Sequence, residues 1–122
     1  MTTGHRILII DDEPLILEVL ESQLNSMGLT CRTYESPLQG LRALNDFQPD
    51  IILCDLRMPD MNGVEVLARV RSLGLKTPFF LMTGFSDKND LAETADLHLA
   101  GLIEKPFRLS ELKKLLFDFF TP

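Results

Sequence analysis

The sequence predicts a doubly wound α/β domain with a five-stranded parallel sheet. Three observations point there. Short, unbroken apolar runs rich in Ile, Leu and Phe recur along the chain. Segments with apolar residues at helical spacing separate them. Four of the runs stop at Asp, Thr or Lys. Runs this short and continuous read as strands buried on both faces. Strict alternation of strand and helix gives a parallel sheet with helices on each side. Five β-then-α units imply five helices, and the economical strand order is 2-1-3-4-5. Strands 1 and 3 then meet at the switch point, where open sheets of this kind bind ligands beyond their carboxyl ends.

The first strand is Arg6-Ile7-Leu8-Ile9-Ile10, ending at Asp11-Asp12-Glu13-Pro14. Pro14 suits the first turn of a helix. Leu17, Leu20, Leu24 and Met27 give that helix its apolar face, and Gly28 closes it. Leu29 to Tyr34 alternates and reads as an edge strand. Ser36-Pro37 opens a second helix with Leu38, Leu41 and Leu44 on its buried face, ending near Asp46-Phe47. Gly40 weakens it by roughly 1 kcal/mol relative to Ala.

Ile51-Ile52-Leu53-Cys54-Asp55 is the third strand. Asn62 and Glu65 have the spacing of a reciprocal capping box. The helix they open buries Val66, Val70 and Leu73 and ends at Gly74. Phe79-Phe80-Leu81-Met82 is the fourth strand, stopping at Thr83-Gly84. A short, weakly apolar helix is expected from about Lys88 to Ala95, capped by Ser86-Asp87. Leu102-Ile103-Glu104 is the fifth strand, with Lys105-Pro106-Phe107 after it. The last helix carries Leu109, Leu112, Leu116 and Phe119. Phe117 or Phe120 on it is a candidate for a partner or dimer surface, against the ordinary reading of a deeply packed helix tail.

The chain has 122 residues, 45% of them hydrophobic and 25% charged, which is ordinary for one globular domain with a real core. A net charge of −6 without any basic run argues against direct nucleic-acid binding. Met1-Thr2-Thr3-Gly4-His5-Arg6 lacks the long apolar segment a signal peptide needs, and no apolar stretch reaches the length of a membrane span. Cys31 and Cys54 have no metal or redox spacing and read as reduced core thiols, which suits a cytoplasmic protein. His5 and His98 lack any helical phosphotransfer context.

In the 2-1-3-4-5 order, Asp11, Asp12 and Asp55 converge, with Thr83 and Lys105 ending the next two strands. Taken singly, each has an ordinary explanation as a turn residue, helix cap, strand end or solvated lysine. Together they resist one. Three carboxylates at about 4 Å repel by on the order of 4 kcal/mol per pair at an effective dielectric of about 20. A hard divalent cation relieves this, and an oxygen-only ligand set suits Mg²⁺. Thr83 adds a hydroxyl and Lys105 a positive charge. Such a group can stabilise a transferring phosphoryl while a carboxylate acts as nucleophile.

The stretches Ile9-Ile10-Asp11-Asp12-Glu13-Pro14, Asp55-Leu56-Arg57-Met58-Pro59-Asp60-Met61-Asn62-Gly63, Thr83-Gly84 and Lys105-Pro106-Phe107 resemble the response-regulator receiver domain of two-component and phosphorelay signalling. The resemblance implies a flavodoxin-like receiver fold filling residues 1–122, with its core at about 6–120; no output domain is expected within these residues, whether the receiver stands alone or belongs to a larger regulator or hybrid kinase. It implies that Asp55 accepts a phosphoryl group from a histidine kinase or histidine phosphotransfer protein. Mg²⁺ would be held by Asp12 directly, by Asp11 mainly through water, by Asp55 and by the backbone carbonyl of Arg57. Thr83 and Lys105 would contact the phosphoryl oxygens. Thr83 would pass the change to the face of the fourth helix, fifth strand and fifth helix, where a downstream protein or second copy binds. The only catalysis expected is phosphoryl transfer to itself and its own dephosphorylation.

The chain departs from the family pattern at Leu102, where many members carry an aromatic that turns inward with the Thr. Arg57 and Phe85 fall at positions that tune hydrolysis, and this bulky pair is expected to slow it. Two rival readings share some of these features. A Mg²⁺-dependent aspartyl-phosphate phosphatase needs the same groups but usually has its nucleophile after the first strand. A pseudo-receiver binds partners without phosphorylation, yet all five key side chains are present here.

Overall fold

The structure, a computed structural model, describes residues 5–84, 94 and 96–120. Five parallel strands are present: β1 (Arg6–Ile10), β2 (Thr30–Tyr34), β3 (Ile51–Asp55), β4 (Phe79–Thr83) and β5 (Gly101–Glu104). They lie in the order β2-β1-β3-β4-β5, as the alternation predicts. Ile10 pairs with Cys54, Asp55 with Met82 and Thr83 with Glu104, so the carboxyl ends of the inner strands lie side by side.

Ile7–Ile10 of β1 and all of β3 and β4 are buried because helices cover both faces, whereas the edge strands β2 and β5 are largely open. Alternate residues serve opposite layers. Ile7, Ile9, Ile51, Leu53, Phe80 and Met82 pack with α1 (Pro14–Ser26) and α4 (Leu109–Phe120). Leu8, Ile10, Ile52, Cys54, Phe79 and Leu81 pack with α2 (Pro37–Phe47) and α3 (Gly63–Ser72).

Among the described residues there are four helices rather than five. The helix expected from about Lys88 to Ala95 lies outside the described residues, apart from buried Thr94. The expected fifth helix is α4. None of the described helices is long and apolar enough to cross a membrane.

The helix ends follow local chemistry. Asn62 accepts from the Glu65 amide at 2.9 Å while the Glu65 carboxylate accepts from the Asn62 amide at 3.3 Å, a complete capping box. Ser36 caps α2 by accepting from Gln39 N–H. At the end of α1, Leu29 N–H donates to Leu24 O and Gly28 N–H to Asn25 O, with Gly28 left-handed at φ 86°. That pair of bonds is a Schellman closure.

Three leucine or phenylalanine positions depart from expectation. Leu38, Leu73 and Phe119 are exposed, not buried. The buried stripe of α2 runs through Pro37, Gly40, Leu44 and Phe47, which rotates Leu38 outward. Gly40 is the contact point, since a Cβ there would lie 2.6 Å from Ile10 Cδ1. Leu73 is the residue just past the last turn of α3. Phe119 stands edge-on to Phe80 and Phe120, at 5.9 and 5.6 Å.

Candidate functional site

The site lies beyond the carboxyl ends of β1, β3, β4 and β5. Asp11 follows β1 directly and is fully buried. Its backbone N–H donates to Tyr34 O at 3.1 Å, which fixes it beside β2. Its Oδ1 accepts from Glu13 N–H at 2.9 Å, and its Oδ2 accepts from Lys105 Nζ at 2.8 Å. Both carboxylate oxygens therefore have protein partners, and burial is compensated.

Asp55 is the last residue of β3 and is buried. Lys105 Nζ lies 3.4 Å from its Oδ1. Burial and the Asp11 charge push the Asp55 carboxyl up to about 6, with Asp12 adding to the rise and Lys105 opposing it. Burial alone would lower the Lys105 ammonium. The hydrogen bond to Asp11 and the charges of Asp11, Asp55 and Glu13 outweigh it and raise that group, so it stays cationic.

Lys105 is placed by the sheet. Its backbone N–H donates to Thr83 O at 2.7 Å, one step past the last paired residues of β4 and β5. Thr83 ends β4 and is buried. Asp12 is half-buried beside Asp11. Arg57 is exposed in the loop after β3, and a cleft lined by Asp12, Arg57, Met61 and Glu65 runs along that loop.

Carboxylate oxygens of Asp11, Asp12, Glu13 and Asp55 all come within 4.8 Å of one another. Four carboxylates cluster around one ammonium. An oxygen-only donor set with excess negative charge fits a hard divalent cation.

Gly63 lets the loop close over the end of β3. A Cβ there would meet Leu81 Cδ2 at 2.5 Å and Asp55 O at 2.7 Å, and Gly63 N–H donates to Leu56 O at 2.9 Å. Cys54, next to Asp55, is buried and donates to the Asp55 carbonyl. Burial and the charges of Asp55 and Asp11 push its thiol well up, so it stays protonated.

The structure thus brings together Asp11, Asp12, Asp55 and Lys105, with Thr83 on the adjoining strand. Glu13 joins them, which the motif reading did not assign; its signal was its place in the acidic run directly after β1. Arg71 was also missed. It donates to the carbonyls of Leu75, Thr77, Leu97 and His98, tying the end of α3 to the segments before β4 and β5. His5 stacks on Phe120 at 3.9 Å, before the amino end of β1, at the opposite end of the strand from Asp11. Phe85 lies outside the described residues.

Known proteins share this arrangement of sequence and fold. The Regulator of RpoS of Escherichia coli K12 is 31% identical over 120 residues, covering 98% of this chain and 36% of that protein. The DNA-binding transcriptional regulator NtrC of the same organism is 33% identical over 108 residues, covering 88% of this chain and 23% of that protein. The chain thus spans about a quarter to a third of the length of these curated relatives. Full-length FixJ from B. japonicum superposes with a TM-score of 0.85 at 28% identity, over 96% of this chain and 58% of that one. The Vibrio cholerae chemotaxis protein CheY4 shares the fold with a TM-score of 0.87 at 24% identity, over 95% and 98%. The family model of the response regulator receiver domain matches residues 7–117, and this chain belongs to that family.

Proposed function

We propose that the chain is a phosphorylation-dependent switch whose acceptor is Asp55. The observation that carries the reading is the placement of Asp55: buried at a strand end, 3.4 Å from Lys105, among three further carboxylates. An Asp55 oxygen attacks the phosphorus of a donor phosphohistidine in line. The P–N bond breaks, and the imidazole leaves with its electron pair. Lys105 and the Thr83 hydroxyl bind the phosphoryl oxygens. New charge-assisted contacts then bias a two-state equilibrium.

Mg²⁺ fits the acidic pocket, where Asp12, Asp55 and the Arg57 carbonyl would hold it and Asp11 would support it through water. When bound it would neutralise charge on the phosphoryl oxygens and lower the Asp55 pKa. The two hydrogen bonds already made by Asp11 support the indirect role. The chemistry acts on the chain itself, and autodephosphorylation is a second step in which water attacks the phosphorus and the Asp55 carboxylate leaves.

The donor is a histidine kinase or histidine phosphotransfer protein. Leu15 and Val19 of α1 are 76% and 55% exposed. They adjoin a groove that Ile16, Leu20, Phe107 and Lys105 line, an apolar surface beside the pocket that suits a protein donor. Output runs through β5, α4 and the segment between β4 and β5. Leu102, in the position where an aromatic is frequent, is 44% exposed on edge strand β5, so the change passes through backbone and helix shifts. The free thiols of Cys31 and Cys54 suit the reducing cytoplasm.

The test is intact mass over time with Mg²⁺ and acetyl phosphate, beside Asp55→Asn. One phosphoryl group is expected on the wild type and none on the variant or without Mg²⁺. No gain on any sample, together with no beryllofluoride binding, would favour a phosphorylation-independent binding module. In the same assay, Arg57→Ala and Phe85→Ala are each expected to speed loss of the phosphoryl group, because smaller side chains admit attacking water. Unchanged decay in both variants would refute that role.

A further inference from the structure

A groove runs between α2 and α3, on the layer opposite α1 and α4. Two depressions share Leu41 and Leu73 and so form one surface. Leu38 extends it along α2, and Leu75 extends it toward the amino ends of β3 and β4. Leu38 is 46% and Leu73 62% exposed, so large apolar side chains meet water on both walls. The walls are held in shape without an occupant. Gly40 seats α2 against Ile10, and Arg71 donates to the carbonyls of Leu75 and Thr77. A preformed groove costs little ordering when it is filled.

Charge decides what fits. The chain has 18 acids against 12 lysines and arginines, yet no acid lines the groove among the described residues. Its charged members are Arg42 and Arg69, both exposed. Neither pairs with a described carboxylate. Glu65, one turn before Arg69, has its carboxylate on the Asn62 amide, and Asp46, one turn past Arg42, lies outside the lining. The lining is helical side chains and turns with no strand edge, so a helix suits it and an added strand does not. A nucleic acid would meet two cations on a chain of net charge −6. A second copy paired about a two-fold axis would bring four arginines into one contact with no acid from the groove to meet them.

We propose that the α2–α3 groove is a docking site for an acidic amphipathic helix of a partner protein, its leucines seated between Leu38 and Leu73 and its carboxylates on Arg42 and Arg69. This contact is separate from the Asp55 switch and does not depend on it. It leaves the groove beside α1 clear, so a phosphodonor can bind at the same time.

The probe is a panel of synthetic helical peptides with a leucine stripe flanked by glutamates in different registers. The controls are the same residues scrambled and the same stripe flanked by lysines. Titration into isotope-labelled protein is followed by NMR. The acidic peptide is expected to shift the amides of Leu38, Arg42, Arg69 and Leu73 and to bind Asp55→Asn protein equally well. Arg42→Glu with Arg69→Glu is expected to weaken it about tenfold, as two exposed ion pairs support. Arg42→Lys with Arg69→Lys is expected to keep most of the affinity, and both pairs of exposed substitutions should leave the unfolding midpoint in place. No binding by any acidic peptide, equal binding by a control, or a charge reversal without effect overturns the assignment. Two further results give the groove to another occupant and overturn it as well. One is self-association in sedimentation that the glutamate variant abolishes. The other is binding of a DNA duplex that the same variant abolishes.

Discussion

Metal-free Asp55→Asn protein will be more stable than the wild type at pH 7.5, and the difference will close near pH 4. Asp55 sits in the fold with its carboxyl pushed up to about 6 by burial and by Asp11, against an unfolded value near 4. The folded state therefore holds the proton more tightly than the unfolded state does. Stability from this group is fully present below about pH 4 and is lost as pH rises through about 6. A shift of about two pH units corresponds to about 3 kcal/mol. Asn resembles the protonated carboxyl and does not titrate, so the variant escapes the loss. Denaturant unfolding of both proteins from pH 4 to pH 7.5 reads it, with the titrations of groups outside the pocket cancelling in the difference. A stability gap that is flat with pH would contradict the account of the pocket. Millimolar Mg²⁺ at pH 7.5 should stabilise the wild type more than the variant, since Asp55→Asn removes both a ligand and part of the repulsion.

Gly63→Ala is expected to destabilise by about 3 kcal/mol, at the upper end of overpacking costs. The added methyl would stand 2.5 Å from Leu81 Cδ2, 2.7 Å from the Asp55 carbonyl oxygen and 3.1 Å from Leu56 Cα. Leu81 is fully buried, and the other two atoms are backbone at the end of β3. Ala's better helix propensity returns at most about 1 kcal/mol. The strand end must move, so phosphoryl acceptance at Asp55 is expected to fall with stability. Gly74→Ala is the comparison. Nothing lies within 4 Å of a Cβ there, but φ is +81°, so about 1 kcal/mol is expected from backbone strain alone. Equal losses for the two variants would show that the close approach at Gly63 is not what holds the loop.

The inner strands were readable because helices cover them on both faces, which removes the polar alternation that makes edge strands such as β2 ambiguous. Ile51–Asp55 and Phe79–Thr83 are buried at every position. Caps were readable because they are local: Asn62 with Glu65, Ser36 with Pro37, and Gly28 each act within a few residues. The buried face of α2 was not, because its contact with β1 is made by Gly40, a residue with no hydrophobic signal. The end of α2 at Phe47 was legible, but not its cap, since Gln48 takes the left-handed conformation usually left to glycine. The main acids and the lysine of the pocket were legible from their places at strand ends. Glu13 was not assigned, since its place in the pocket depends on a side-chain direction across 92 residues of chain to Lys105. Arg71 left no trace because its partners are backbone carbonyls, which every residue has.

The central claim is that Asp55, among several acids within reach of Lys105, carries the phosphoryl group. Borohydride trapping tests it most directly. Protein treated with Mg²⁺ and a phosphodonor is reduced, which converts an aspartyl phosphate to homoserine, and the modified residue is located by peptide mass mapping. Homoserine at position 55 is the predicted result. Homoserine at position 11, 12 or 60 with Asp55 intact would contradict it.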